Sequence, residues 1–302
     1  MKSKAGTDTE FFRTEKIPKI LLQIAPPVML AQLIQAMYNI VDSFFVGKYS
    51  ESALTALSVI YPLQLIIIAL AVGTGVGVNT YMARLYAQKM PGQAEETAGT
   101  GTLLALGTWF IFAIFSIFCM RPYVLTSANT PEAIESAVIY GQIVCIGSIG
   151  AFLEGNWTKV HQSRGNMHRP MVAQTVGALT NIVLDPILIF GLGPVPELGV
   201  AGAAYATVCG QVAAAVITSF GGVGRLPERT KTPLYIKQIY WFGYASIIMQ
   251  ALFTVYIVIL NAILAGFSDS AVTVLGLYYK MQTFFLYPTD GLADVYRSGA
   301  QL

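Results

Sequence analysis

Two carboxylates stand inside long apolar runs, Asp42 in the stretch 20–46 and Asp185 in 170–190. An ionisable group in a membrane span costs about 2.5–3.5 kcal/mol on insertion scales, so each is read first as functional. Counted from the outer ends of their runs, Asp42 lies about five residues before Gly47 and Asp185 about five before Phe190, which puts them at similar depth. Each has an amide about one turn deeper on the same helical face, Asn39 at i−3 and Asn181 at i−4. Gln35 and Gln32 extend the first set inward, while Tyr140 and Thr207 lie seven or eight residues in from the outer ends of two further runs. If these helices are neighbours, they line an outer-half cavity with two carboxylates and several neutral oxygens. Two carboxylates in one low-dielectric site cannot both stay ionised and unpaired, so either one takes a proton or a cation sits between them. Ligands that are all oxygen suit a hard cation such as Na⁺ better than a transition metal. The plainer alternative is that Asp185, followed by Pro186, caps its helix and Asp42 snorkels from a helix end.

The elements that position these groups follow from composition. Of 302 residues, 55% are hydrophobic and 11% charged, with a mean hydropathy of +0.60, where soluble domains carry roughly a quarter charged residues. This is the make-up of an integral membrane protein. Apolar stretches at about 20–46, 53–80, 98–120, 133–154, 170–190, 199–220, 240–265 and 271–288 give eight candidate spans, each long enough for a bilayer core of about 30 Å. Only helices satisfy their own backbone within one segment in lipid, so the fold class is an all-α polytopic bundle. Fourteen Lys and Arg fall in the N-terminal segment and in the loops on one side, whereas Lys48 and Arg121 lie on the other. The positive-inside rule then puts the N-terminus in the cytoplasm of a multi-pass cell-membrane protein. Lys280 and Arg297 fall in or after the last span.

The net charge of +2 offers no basic surplus for nucleic acid. Cys119, Cys145 and Cys209 sit in apolar sequence without metal-ligand spacing and read as small packing residues. Pro26 and Pro27 fall inside the first span, where they would bend the helix and link its outer half to movement. Gly73, Gly75 and Gly77 read as a close-packing face, as do Gly199, Gly202, Ala203 and Ala206. His161, His168, Arg164 and Arg169 are expected in a solvated basic loop, with Glu154 paired to a base such as Lys159 and Asn156-Trp157-Thr158 facing the cytoplasm. No hydrolase, metalloprotease or nucleotide-loop motif is legible, so the chain is not read as an enzyme.

Sliding the sequence on itself by 218 residues aligns Gln32 with Gln250, Tyr38 with Tyr256, Ser50 with Ser268, Ser52 with Ser270 and Ala53 with Ala271, and then Thr55/Thr273, Leu57/Leu275, Tyr61/Tyr279 and Gln64/Gln282. The seventh and eighth spans therefore read as a second copy of the first and second, the pattern of transporters built from repeated bundles. The expected organisation is a cytoplasmic segment 1–19, a six-helix lobe 20–222, a linker 223–239, the first two helices of a second lobe 240–292 and a divergent tail 293–302. A full second repeat would need a chain of roughly twice 218 residues, so truncation or a frame change is expected.

Together these residues resemble the multidrug and toxic compound extrusion family. The resemblance rests on Ala25-Pro26-Pro27 leading to Gln32, on Tyr38-Asn39-Ile40-Val41-Asp42 with Phe45-Val46-Gly47, on Gly73 to Gly77 leading to Arg84, on Arg164-Gly165-Asn166, on Asn181 to Pro186, and on Gly199 to Ala204 through Thr207. It covers nearly all of residues 15–292. It implies twelve helices in two lobes exporting small organic cations against Na⁺ or H⁺, with no other cofactor, and by position an acidic coupling-ion cluster of Asp42, Asn181, Asp185 and Thr207, with Tyr140 and Gln35 nearby. The chain departs from that pattern in lacking the last four helices. Two readings stay open: a secondary antiporter, or a non-transporting chain that binds ligand or a partner without turnover. A lipid-linked sugar flippase of the same fold would favour basic residues in the cavity, whereas the buried charges are expected to be acidic.

Overall fold

The computed structural model describes residues 17–301, without the side chains of 17–25, 27, 28, 31, 283 and 287–301. Most of the expected segment 1–19 therefore lies outside the described residues. The helices are α1 (Ile17–Tyr49), α2 (Glu51–Ala87), α3 (Pro91–Val124), α4 (Pro131–Gly147), α5 (Ile149–Ser163), α6 (His168–Phe190), α7 (Val200–Gly222), α8 (Thr232–Ala265) and α9 (Asp269–Gln301). Among the described residues five helices are long and apolar enough to cross a bilayer, and α4 with α5 makes a sixth as one bent span. The helices that carry Asp42 and Lys280, α1 and α9, stand outside that count. Large apolar side chains such as Phe118 on α3 (75% exposed) and Leu252 on α8 point outward, as they must where lipid is the solvent. The fold is an all-helical, multi-pass membrane bundle.

The 218-residue repeat is visible as contact between equivalent residues. Ser50 Oγ accepts from the Ala53 amide at 3.0 Å and caps α2, and its counterpart Ser268 accepts from Ala271 at 3.1 Å at the start of α9. Thr55 and Thr273 then meet each other, Oγ1 to Oγ1, at 2.8 Å, while each also lies within hydrogen-bonding reach of the carbonyl four residues back, Glu51 and Asp269. With one proton per hydroxyl, one threonine donates across the contact and the other donates backward. Tyr61 and Tyr279 share a buried cluster with Ile257. Residues that touch their own counterparts mark a pseudo-two-fold axis between the repeats.

The expected fourth span is longer than read and is broken. α4 and α5 meet at 44°, where Gly147 and Ser148 interrupt the helix, a common cause of a sharp kink. Ser148 is fully buried and donates to the Cys145 carbonyl at 2.6 Å, and the Trp109 indole donates to the Ile146 carbonyl at 2.9 Å, so carbonyls beside the break keep partners. The continuation, α5, carries Asn156, Trp157, Lys159 and His161 as buried residues, which corrects their placement in an exposed loop. Hydropathy ended the span at 154 because α5 is polar, but its polar groups face protein: Trp157 Nε1 donates to Thr102 Oγ1 at 3.0 Å and His161 Nε2 contacts the Thr218 carbonyl at 2.9 Å. Glu154 accepts from Thr158 at 2.7 Å. The nearby arginines are not merely solvated either. Arg164 pairs with Glu95 at 2.7 Å, and Arg164 and Arg169 donate to the Gly221 and Phe220 carbonyls, where α7 leaves helical geometry and its end would otherwise expose unpaired acceptors.

At the end opposite the basic loops, Asp269 joins the two repeats. Its carboxylate accepts from the Asn129 and Thr130 amides, each at 3.0 Å, from the Asn129 side chain at 3.0 Å and from the Thr130 hydroxyl at 2.8 Å. Burial works against the charge, but these bonds outweigh it and hold the carboxyl below its usual range. A depressed carboxylate contributes stability above its unfolded pKa of about 3.9, lost as pH falls through the lower folded value. Asp269→Ala should therefore cost about 1 kcal/mol at both pH 7 and pH 5, because the site is exposed. Thermal unfolding across pH checks this: the difference from wild type should close only in strong acid.

Candidate functional site

α1, α6 and α9 bring the candidate site together, since α1 packs against both of the others. Asp42 on α1 is 4% exposed and Asp185 on α6 is 0% exposed. Asn181, one turn before Asp185, bridges to α7: with its amide oriented to satisfy both neighbours, the nitrogen donates to Asp185 Oδ2 at 3.2 Å and the oxygen accepts from the Thr207 amide at 3.2 Å. Tyr140 on α4 is buried, hydrogen-bonds Thr207 and accepts from Gln64 Nε2 at 3.3 Å. Asp42, Asn181, Asp185, Thr207 and Tyr140 are thus neighbours drawn from four helices. One oxygen of Asp42, Oδ1, is buried without a hydrogen-bond partner. A buried charged oxygen left so is costly, and it fits a place where a proton or a hard cation binds.

Other residues sit differently from the expectation. Asn39 donates to the Gln35 carbonyl at 2.9 Å, so its amide serves its own helix rather than Asp42. Gln35 itself is half-buried. α1 runs unbroken past positions 26 and 27, with Pro26 exposed. Sixteen residues separate Pro26 from Asp42, roughly 24 Å along the axis, so any bend there acts on the site across most of the bilayer. In this structure protein covers both carboxylates, Asp42 at 4% exposure and Asp185 at 0%. Cavities of about 520 and 560 Å³ lie elsewhere, one lined by Glu95, Arg164 and Arg225 and one by Tyr49, Glu132 and Glu135.

One buried charge beside the site was not foreseen. Lys280 on α9 is 6% exposed, and its Nζ donates to Ser43 Oγ at 2.6 Å, one residue from Asp42. Ser43 in turn donates to the Asn39 carbonyl at 2.8 Å. Lys280 interacts electrostatically with both Asp42 and Asp185. The buried charge is therefore not only acidic, and the expectation that it would be is corrected. The signal was available: a lysine within an apolar run calls for an acidic partner.

The glycine seam fits the close packing expected of it. A Cβ on Gly77 would lie 2.1 Å from the Ile239 carbonyl oxygen, and one on Gly73 would lie 2.4 Å from Ile247 Cγ1, so α2 and α8 approach as closely as glycine allows. A Cβ on Gly202 would likewise lie 2.4 Å from the Leu188 carbonyl oxygen, seating α7 against α6.

A repeated multi-pass helical bundle with buried ionisable groups where its helices meet is the architecture of membrane transporters built from repeated bundles. Residues 27–187, more than half of the chain, match the MatE family. The chain belongs to the multidrug and toxic compound extrusion family. It is 27% identical to the "FAD transporter" of Shewanella oneidensis, over 92% of this chain and 63% of that protein. It is 25% identical to the multidrug export protein MepA of Staphylococcus aureus, again over 92% of this chain and 63% of that one. Among solved structures, the MATE multidrug transporter DinF-BH in complex with R6G superposes with a TM-score of 0.86 at 25% identity, covering 95% of this chain and 66% of that one. The chain thus spans a little under two thirds of the length of these two curated relatives.

Proposed function

We propose that this chain serves an antiporter that exports small organic cations across the cell membrane in exchange for Na⁺ or H⁺, with its basic loops in the cytoplasm. The observation that carries this reading is the burial of Asp42 and Asp185 together in an apolar bundle, with an unpartnered carboxylate oxygen. Asp42 and Asp185 bind the coupling cation, and Asn181, Thr207 and Tyr140 orient them. A cation bound there competes with a cationic substrate for the same negative charge, which couples entry of one to release of the other. The family's relatives include exporters of drugs, in keeping with an amphipathic substrate.

Reconstituted in liposomes, the chain should move a rhodamine dye outward when an inward Na⁺ or H⁺ gradient is imposed, and collapse of that gradient should stop it. Dye binding without movement under either gradient would replace this reading with a ligand-binding half-bundle. Neither binding nor movement would remove it altogether.

A further inference from the structure

We propose that Lys280 is a tethered cation that neutralises one of the two buried carboxylates and thereby leaves the site room for a single mobile monovalent cation. The inference rests on the coupling-site reading above. Three observations carry it. The Lys280 amine is buried and held by Ser43, next to Asp42, on the α1 side of the contact between repeats. Asp42 retains a buried oxygen with no hydrogen bond. Among the described residues no ion pair joins Lys280 to Asp42 or Asp185, so Lys280 sits near the carboxylates without clasping either.

The charge count follows. Two carboxylates and one ammonium sum to one negative charge, which one Na⁺ or one H⁺ balances. In an apolar interior a net charge is what sets occupancy, because an unbalanced charge is too costly to leave. Among the described residues, Tyr38 on α1, Tyr61 on α2 and Tyr140 on α4 also lie around the pair, and a protonated phenol adds no charge to the count. The repeat adds an independent argument. In the 218-residue register Lys280 falls opposite Pro62 and Asp42 opposite Leu260. The geometry of the two copies is shared, but one supplies the acid and the other the amine. Binding of the mobile cation therefore weakens an attraction between repeats, and its release restores it, so occupancy is read directly at the α1–α9 contact.

The test measures cation affinity of the purified full chain, with radioactive Na⁺ at pH 8 and with proton uptake in Na⁺-free buffer. Whichever cation wild type takes, Lys280→Met should take it at least about tenfold more tightly, while Lys280→Arg, which keeps the charge, should stay within about threefold of wild type, as 1.4 kcal/mol corresponds to tenfold. Lys280→Gln, which retains a donor for Ser43, accompanies Lys280→Met in case the latter fails to fold. A folded, neutral variant with unchanged or weaker cation affinity overturns the proposal. Failure of the underlying reading looks different: Asp42→Asn and Asp185→Asn would then leave cation uptake unaltered, whatever stands at position 280.

Discussion

Asp185→Asn is expected to lower affinity for the coupling cation at least a hundredfold, and Asp42→Asn to do the same. Removing one partner from a buried charge cluster costs about 3–5 kcal/mol, which at 1.4 kcal/mol per tenfold exceeds two orders of magnitude. Asp185 is the more completely buried of the two and is held by Asn181, which links it to Thr207 on α7. Asparagine preserves shape and one acceptor while deleting the charge, so a folding defect is not the expected cause. The measurement is thermal unfolding against cation concentration. Wild type should be stabilised as the cation saturates the folded state, by RT ln(1 + [L]/Kd), and the variants should lose that dependence. In cation-free buffer they should unfold no earlier than wild type, because one of two like charges has been removed from a dry site. A variant that keeps the full cation-dependent rise would remove Asp185 from the coupling site.

Gly77→Val should have the largest effect on folding. Its first side-chain atom would fall 2.1 Å from the Ile239 carbonyl oxygen and 2.9 Å from its carbon, and both belong to backbone that cannot turn aside. α8 must therefore back away from α2. Overpacking of this kind costs about 1–3 kcal/mol where side chains can yield, and more where they cannot. The yield of folded protein should fall sharply and the unfolding temperature should drop by several degrees or more. Gly107→Ala on α3 is the matched control, because nothing lies within 4 Å of a Cβ there and the exchange should stay within about 1 kcal/mol of neutral. Equal behaviour of the two variants would show that the α2–α8 approach does not depend on glycine.

Much of this arrangement was legible in the sequence because it depends on local signals. Asp42 and Asp185 announce themselves by being carboxylates in apolar runs, and their common depth follows from counting along helices of fixed rise. The repeat was readable because Ser50 and Ser268 perform the same capping task and Thr55 and Thr273 meet on the axis, so each identity has a physical reason. What sequence could not supply was the partner across space. The polarity of α5 reads as a loop until Thr102 and Thr218 are found bonding to it. Lys280 reads as a lone charge in the last span until α9 is laid against α1 and its amine is found on Ser43. Asn39 shares a helical face with Asp42, yet its donors go to its own backbone, a choice that spacing does not determine.

The contacts between the repeats differ in their relation to water. Near Asp269, the hydrogen bonds to Asn129 and Thr130 are exposed, so water can replace each at a net cost of about 1 kcal/mol or less. Toward the basic loops, Gly73, Gly77 and Gly243 press backbone on backbone, and parting them forfeits dispersion contacts with no solvent bond in return. Rocking of one repeat on the other therefore meets a soft side and a stiff side. Separating the repeats costs less at Asp269 than along the glycine seam.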